Sequence, residues 1–379
     1  MKSEHEIKMW TPTTLVMVFL MVAGGLILLV RLFKGLGAVT NLNDRFPWGL
    51  WIGIDVLGGV AMAAGGFLIA GAVYVLNMKK YRPIVRASIL NAFFGYLLAA
   101  TAITLDIGLP WNIWHPIFMW QIHSIMWVVA IHVVLYTTTL ATESSPMFFE
   151  KLGMEKAANF VHKIIVPVVI FGVLLSTLHQ SSLGAVYLIT ARKLSPFWYN
   201  SQVPTLFLVS AIMMGLSMVS FETILSEKFF GHKADISILS GLARGVLITG
   251  VIYFAVKLWF LFKGPGIAAA FNGSMEANMY LLEMLISVIG PIILLSMKNV
   301  RENVKSLLFV HVLVICGVLL NRLNVSIFGV YRDQAATGMS YFPTVWEFIV
   351  TLAFISFSIV GFKVCVKYLR VFPEAETPH

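Results

Sequence analysis

Asp55, Asp106, His123 and His179 are ionisable residues set in or at the edge of long apolar runs. The stretches are WIGIDVLGGV (51–60), ITLDIGLPWN (103–112), QIHSIMWVV (121–129) and STLHQSSLG (176–184). An ionisable group at the centre of a bilayer costs about 2.5–3.5 kcal/mol on insertion scales, so each needs a partner or a task. Two carboxyls and two imidazoles near one membrane face suit a quinone, an apolar ring whose two oxygens take up or release protons as electrons move. Histidine gives or accepts a proton near neutral pH, and an aspartate out of water relays it. The same groups also suit a proton-coupled transport path.

The elements that must position these residues follow from composition. Of 379 residues, 59% are hydrophobic and 12% charged, against about 25% charged in a soluble domain. Nearly uncharged stretches of membrane-spanning length recur from end to end. They predict an all-α integral membrane protein, a single membrane domain over 1–379, with about ten transmembrane helices. The helices fall at roughly 12–33, 48–77, 87–108, 116–141, 163–188, 204–226, 236–262, 275–297, 306–328 and 344–368. At about 1.5 Å rise per residue, the four residues lie roughly 3–14 Å below one surface, each on a different consecutive helix.

The net charge of +9 is not a nucleic-acid footprint. Lys and Arg cluster at 79–86, 151–163, 228–233, 298–305 and 363–370, and Lys2 and Lys8 add to that side. The opposite side holds fewer: Arg31, Lys34, Arg45, Arg192, Lys193, Lys257, Lys263 and Arg332. By the positive-inside rule the richer side is cytoplasmic, which puts both termini inside. The outer loops carry proline and aromatics instead, in FPWGLW (46–51), LPWNIWHPIFMW (109–120) and SPFWYN (195–200), as expected of an interfacial belt. The start, MKSEHEIKMW and then an apolar run, lacks an A-x-A site and reads as a first span.

Cys316 and Cys365 both fall in predicted spans. With no CxxC or Cys/His cluster, the chain offers no ligand set for an iron–sulfur cluster or a structural zinc, and no metal site is expected. GGVAMAAGGFLIAGA (58–72) places small residues four apart, which brings helix backbones close and makes the second helix central.

Further polar residues lie within the spans. Gln180 neighbours His179; Glu283 and Arg322 fall in the outer half and are candidate partners. Glu222 and Arg244 lie near the inner face, as an ion pair or the start of a proton path. His132 is deeper in the fourth helix, nine residues after His123. At 100° per residue that spacing points the two histidines to opposite faces, so His132 is grouped with the cytoplasmic-side path.

FPWGLWIGIDVLGGVAMAAGG (46–66), ITLDIGLPWN (103–112), LHQSSLG (178–184), FET (221–223), LNRLNVS (320–326) and YFPTVWEF (341–348) together resemble the NrfD-like family. These are the membrane subunits of polysulfide-reductase-type complexes. Within that family the chain is similar to the ten-helix subunits of type 2 nickel–iron hydrogenases and of the high-molecular-weight cytochrome complexes of sulfate reducers. The resemblance covers residues 30–350 and implies two four-helix bundles, 48–188 and 204–328, with flanking helices. It implies a menaquinone site in the first bundle near the periplasmic face, beside a ferredoxin-like iron–sulfur subunit. The wider partners would be a nickel–iron hydrogenase or a multihaem cytochrome c, with other membrane subunits. Asp55, Asp106, His179, Glu222, Glu283 and Arg322 match the family's polar motif positions. His123 does not, since the hydrogenase subunits tend to carry an Asn-Ser pair and a glutamate there.

The expected function is a quinone-interacting subunit of a respiratory redox complex, with proton translocation through Glu222, Arg244 and His132. Its catalytic power would exist only with partner subunits. The alternatives are a proton-coupled secondary transporter, which calls for inverted repeats of broken helices, a passive anchor, and a haem b-containing anchor. Haem needs two facing axial histidines. His123 and His179 are the pair at comparable depth, with His132 and His311 deeper, and the chain is expected to hold no haem.

Overall fold

The computed structural model describes residues 7–190, 193–231, 235–331 and 338–372. Lys2, Arg192, Lys233 and Arg332 of the charge pattern lie outside the described residues. Among the described residues, ten helices are long and apolar enough to cross a membrane: α1 (Pro12–Lys34), α2 (Trp51–Val75), α3 (Lys79–Asp106), α4 (Ile125–Lys151), α5 (Glu155–Thr190), α6 (Val203–Phe230), α7 (Ile236–Lys263), α8 (Met275–Ser296), α9 (Val304–Tyr331) and α10 (Val345–Tyr368). There is no β-strand among the described residues. In a bilayer only intra-helical hydrogen bonding satisfies the backbone of such segments.

Polar caps sit where the helices begin. Thr11 accepts from Thr14 N and Pro12 opens α1, and Gly35, at φ 86°, closes it. Ser124, Asp235, Ser274 and Asn303 cap α4, α7, α8 and α9. Thr344 and Glu347 form a reciprocal capping box on α10. The fourth helix therefore starts at Ile125 and not near 116. Pro110 and Pro116 interrupt the preceding stretch, which makes only a short 3-10 turn and the one-turn helix His115–Phe118. Trp127 Nε1 ties it down by donating to Pro116 O at 2.8 Å. That leaves Trp111, Phe118 and Trp120 exposed at this end of the molecule.

Helices α2, α3, α4 and α5 pack in a closed ring, and α6, α7, α8 and α9 in a second. The rings meet through α2 and α6, with α5 and α9 adding contacts, and α1 pairs with α10 against the side of α3. Lys363 Nζ donates to Met9 O and Thr14 Oγ1, so the start of α1 and the end of α10 share one face, called here the terminal face.

The central position of α2 rests on its missing side chains. A Cβ on Gly215 of α6 would stand 2.5 Å from the backbone N of Gly65, and one on Gly66 would stand 2.3 Å from Ala92 Cβ of α3. Between helices in lipid this close approach supplies the van der Waals attraction that hydrophobicity cannot. Gly215→Val is expected to destabilise the protein by at least about 1–3 kcal/mol, the usual cost of overpacking, because the obstructing atom is backbone. Thermal unfolding in detergent measures it; an unchanged midpoint would contradict the packing.

Candidate functional site

Helix α4 carries His132, Tyr136, Thr139 and Glu143 at successive spacings of four, three and four, which puts all four on one face. That face meets α5, whose Gly172, Ser176 and His179 recur at the matching spacing. The rings of His132 and His179 lie 6.2 Å apart, nearly perpendicular. Tyr96 of α3 stands 5.6 Å from His179 and edge-on to Tyr136 at 4.5 Å. Further along, Glu143 tucks against bare α5 backbone; a Cβ on Gly172 would come within 2.9 Å of Glu143 Oε1.

This seam is buried and short of partners. His179, Gln180 and Ser176 are fully buried. Both nitrogens of His179, His132 Nδ1 and Glu143 Oε2 find no hydrogen-bond partner among the described residues, while Ser176 interacts with the hydroxyls of Tyr96 and Tyr136. An unmet buried polar atom costs about 1–3 kcal/mol, and native proteins hold few of them without water or ligand to meet the need. Gln180 is anchored differently, donating through Nε2 to Val60 O at 2.9 Å, which fixes α5 to α2.

Asp55 and Asp106 answer to other neighbours. Asp55 is buried in a π-helical turn of α2, Trp51–Gly58, and accepts from Thr351 Oγ1 of α10 at 2.7 Å. One turn before Thr351, Glu347 accepts from the Tyr341 hydroxyl, from Asn41 N and from Thr344 N. Tyr341 Oη also accepts from Leu50 N. Burial, and then the Glu347 carboxylate, hold the Tyr341 phenol above the usual tyrosine range. Asp106 ends α3 beside Arg31 of α1, whose guanidinium donates to the carbonyls of Leu105 and Ile107, while Asp106 Oδ1 is buried and has no hydrogen-bond partner among the described residues.

The four residues singled out first are thus held by separate sets of neighbours. His123 is not on a helix at all; it is exposed in the turn before Ser124. His132, grouped by sequence with the cytoplasmic-side residues, stands beside His179 instead. Glu222 of α6 is half-buried next to Asn91 of α3. Arg244 is exposed on α7 and pairs with no described acid, so the two do not form a buried ion pair.

Glu283 and Arg322 belong to a network inside the second ring. Glu283 is fully buried and pairs with Lys257 Nζ of α7 at 2.7 Å. It also accepts from Trp198 Nε1 at 2.7 Å, Asn324 Nδ2 at 2.8 Å and Asn321 Nδ2 at 3.0 Å. Arg322 reaches it only through Asn321, donating to Asn321 Oδ1 at 2.8 Å, and otherwise bonds Ser210 Oγ and Phe207 O and lies over the Phe207 ring. The partner of Glu283 is therefore Lys257, and not Arg322. π-Helical turns at Leu285–Ile289 and Asn324–Phe328 flank these residues, and such turns often mark functional positions.

Tyr96, Tyr136, Glu143 and Lys257 escaped the reading of single residues. The four-three-four spacing on α4 was the signal that leads to Tyr136 and Glu143. Lys257 counts by sequence among the cations of the less basic side, whereas it is buried.

The family model described as polysulphide reductase, NrfD, matches residues 38–332. Similar proteins cover nearly the full length. A protein of Nitratidesulfovibrio vulgaris is 36% identical over 94% of this chain and 95% of its own. The probable Ni/Fe-hydrogenase 2 b-type cytochrome subunit of Escherichia coli is 31% identical over 94% and 92%. The menaquinone reductase integral membrane subunit of Nitratidesulfovibrio vulgaris is 26% identical over 90% and 87%. Ten membrane-spanning helices and a family match over most of the chain agree with its six motifs, and the protein belongs to the polysulphide reductase NrfD family.

Proposed function

We propose that this chain is the quinone-interacting membrane subunit of a respiratory redox complex, exchanging electrons between a periplasmic iron–sulfur subunit and menaquinone. The observation that carries this reading is the set of unpartnered buried polar atoms around His179, between α3, α4 and α5. An apolar ring with two oxygens is the ligand chemistry such a site lacks. The reading is supported by relatives named for menaquinone reductase and hydrogenase subunits. A nickel–iron hydrogenase or a multihaem cytochrome c would complete the complex on the periplasmic side.

When bound, the quinone supplies two-electron chemistry coupled to protons; the chain supplies position and protons. His179, with two free nitrogens, holds or delivers a proton at the ring oxygen, and Tyr96 orients that oxygen through its hydroxyl. Asp55, bonded to α10, and Asp106, beside α1, are the acids of a rim outside the seam in this proposal, and Asp106 Oδ1 has no hydrogen-bond partner among the described residues.

Protons reach His179 along the α4–α5 seam, from Glu143 past Ser176, Tyr136 and Tyr96. The 11 residues from His132 to Glu143 rise about 16 Å, roughly half the hydrocarbon thickness. Glu222 beside Asn91 is a second entry group; exposed Arg244 is outside this route. The basic terminal face is cytoplasmic in this reading, with both chain ends inside the cytoplasmic membrane.

Menaquinone is expected in the lipid extract of the purified complex. Glu143→Gln is expected to slow quinone-linked turnover about 10²-fold, at the low end for a lost proton-transfer group, and to abolish proton uptake from the cytoplasmic side of sealed vesicles. Extract free of quinone, or a Soret band in the isolated subunit, would overturn the reading; the second would assign His132 and His179 to haem.

A further inference from the structure

Away from the His179 seam, a cavity of about 300 Å³ opens at the terminal face, where α8 ends and α9 begins. Its walls are Leu294 of α8, Val300 of the connection, and Lys305, Ser306, Phe309 and Val310 of α9. Two chemistries meet in it. The upper part is cationic: Lys305 is exposed and has no acidic partner among the described residues. It sits in the first turn of a long helix, where the dipole concentrates positive potential, with Asn303 Oδ1 already accepting from Ser306 N. Of the neighbouring cations, Lys298 faces Glu302 at 3.7 Å and Arg301 donates through Nη1 to the carbonyls of Leu295 and Ser296 at the end of α8, its Nε having no partner among the described residues.

The lower part is apolar and does not stop at the cavity. Lys305, Phe309, Val312 and Cys316 are all exposed, and their spacings of four, three and four put them on one face of α9. Ile289 and Ile293 are exposed on α8, and Met297 directly after it. A cation at the membrane surface thus leads into an apolar stripe running down the helix into the hydrocarbon. A soluble anion would satisfy Lys305 but leave Phe309 bare. An apolar partner helix would cover Phe309 but leave Lys305 unpaired.

We propose that this cavity is a binding site for an anionic phospholipid of the leaflet at the terminal face. Its phosphate sits on Lys305, the Ser306 hydroxyl and the first turn of α9, and an acyl chain lies along Phe309 and Val312. The site is independent of the quinone reading, since no residue of the α4–α5 seam contributes to it.

The test uses the full chain in detergent, stripped of lipid and then given phosphatidylglycerol or phosphatidylcholine. Bound lipid is counted by native mass spectrometry and stability is followed by thermal unfolding. Phosphatidylglycerol is expected to bind and raise the unfolding midpoint by several degrees, with phosphatidylcholine giving little. Lys305→Gln is expected to reduce phosphatidylglycerol occupancy at least fivefold, and Phe309→Ser to lower it as well. Lys156→Gln, which removes an exposed cation from the other ring, should leave it unchanged. Equal binding of the two lipids, or equal loss with Lys305→Gln and Lys156→Gln, would reduce the effect to general surface charge and overturn the proposal. Protection of Phe309 by a protein subunit in the intact complex, with no lipid retained, would overturn it too.

Discussion

Replacing His179 with glutamine is expected to lower quinone-linked electron transfer by about 10²–10⁴-fold, the usual contribution of a positioned acid–base group. Glutamine keeps most of the volume and can still form hydrogen bonds, but it cannot take up or release a proton near neutral pH. His179 is fully buried between Tyr96 and His132, with neither nitrogen hydrogen-bonded among the described residues. The substitution therefore breaks no existing hydrogen bond, and folding and assembly should survive. Turnover of the intact complex with a menaquinone analogue, together with a native gel for assembly, checks both halves.

Asp55→Asn is the informative comparison. Asparagine can still accept from Thr351 Oγ1, so it removes a proton-carrying group while keeping the link between α2 and α10. Full turnover in the His179 variant with collapse in the Asp55 variant would move the site from the seam to the rim. Full turnover in both would remove it from the first ring.

Lys257→Met should have the largest effect on stability. Glu283 has no exposure, and Lys257 is its only ion-pair partner among the described residues. Removing one member of a buried pair leaves an uncompensated charge and typically costs about 3–5 kcal/mol. Trp198, Asn321 and Asn324 still donate to the carboxylate, but they cannot neutralise it. The double variant Lys257→Met with Glu283→Gln should recover most of the loss, since both charges leave together and a glutamine oxygen can still accept from the indole. Chemical or thermal unfolding in detergent reads both; a single variant within about 1 kcal/mol of the parent would show the pair to be energetically idle.

The sequence by itself determined the membrane class, the ten spans and the family. Apolar runs of spanning length, small residues four apart in α2 and six ordered motifs are local properties, legible without knowing what touches what. It also marked Asp55, His179, Glu283 and Arg322 as polar residues needing an explanation, because the cost of burial in lipid depends on position along a span. Which of them meet was decided only by tertiary structure. Rotation about a helix axis is set by packing and not by depth, so Asp55 turns toward Thr351 of α10 while His179 turns toward Tyr96 and His132. The same rotation gave Glu283 to Lys257 and left Arg244 on the surface. His123 lost its helix to two prolines and a serine cap, and Glu143 acquired its place beside α5 because Gly172 has no side chain to exclude it.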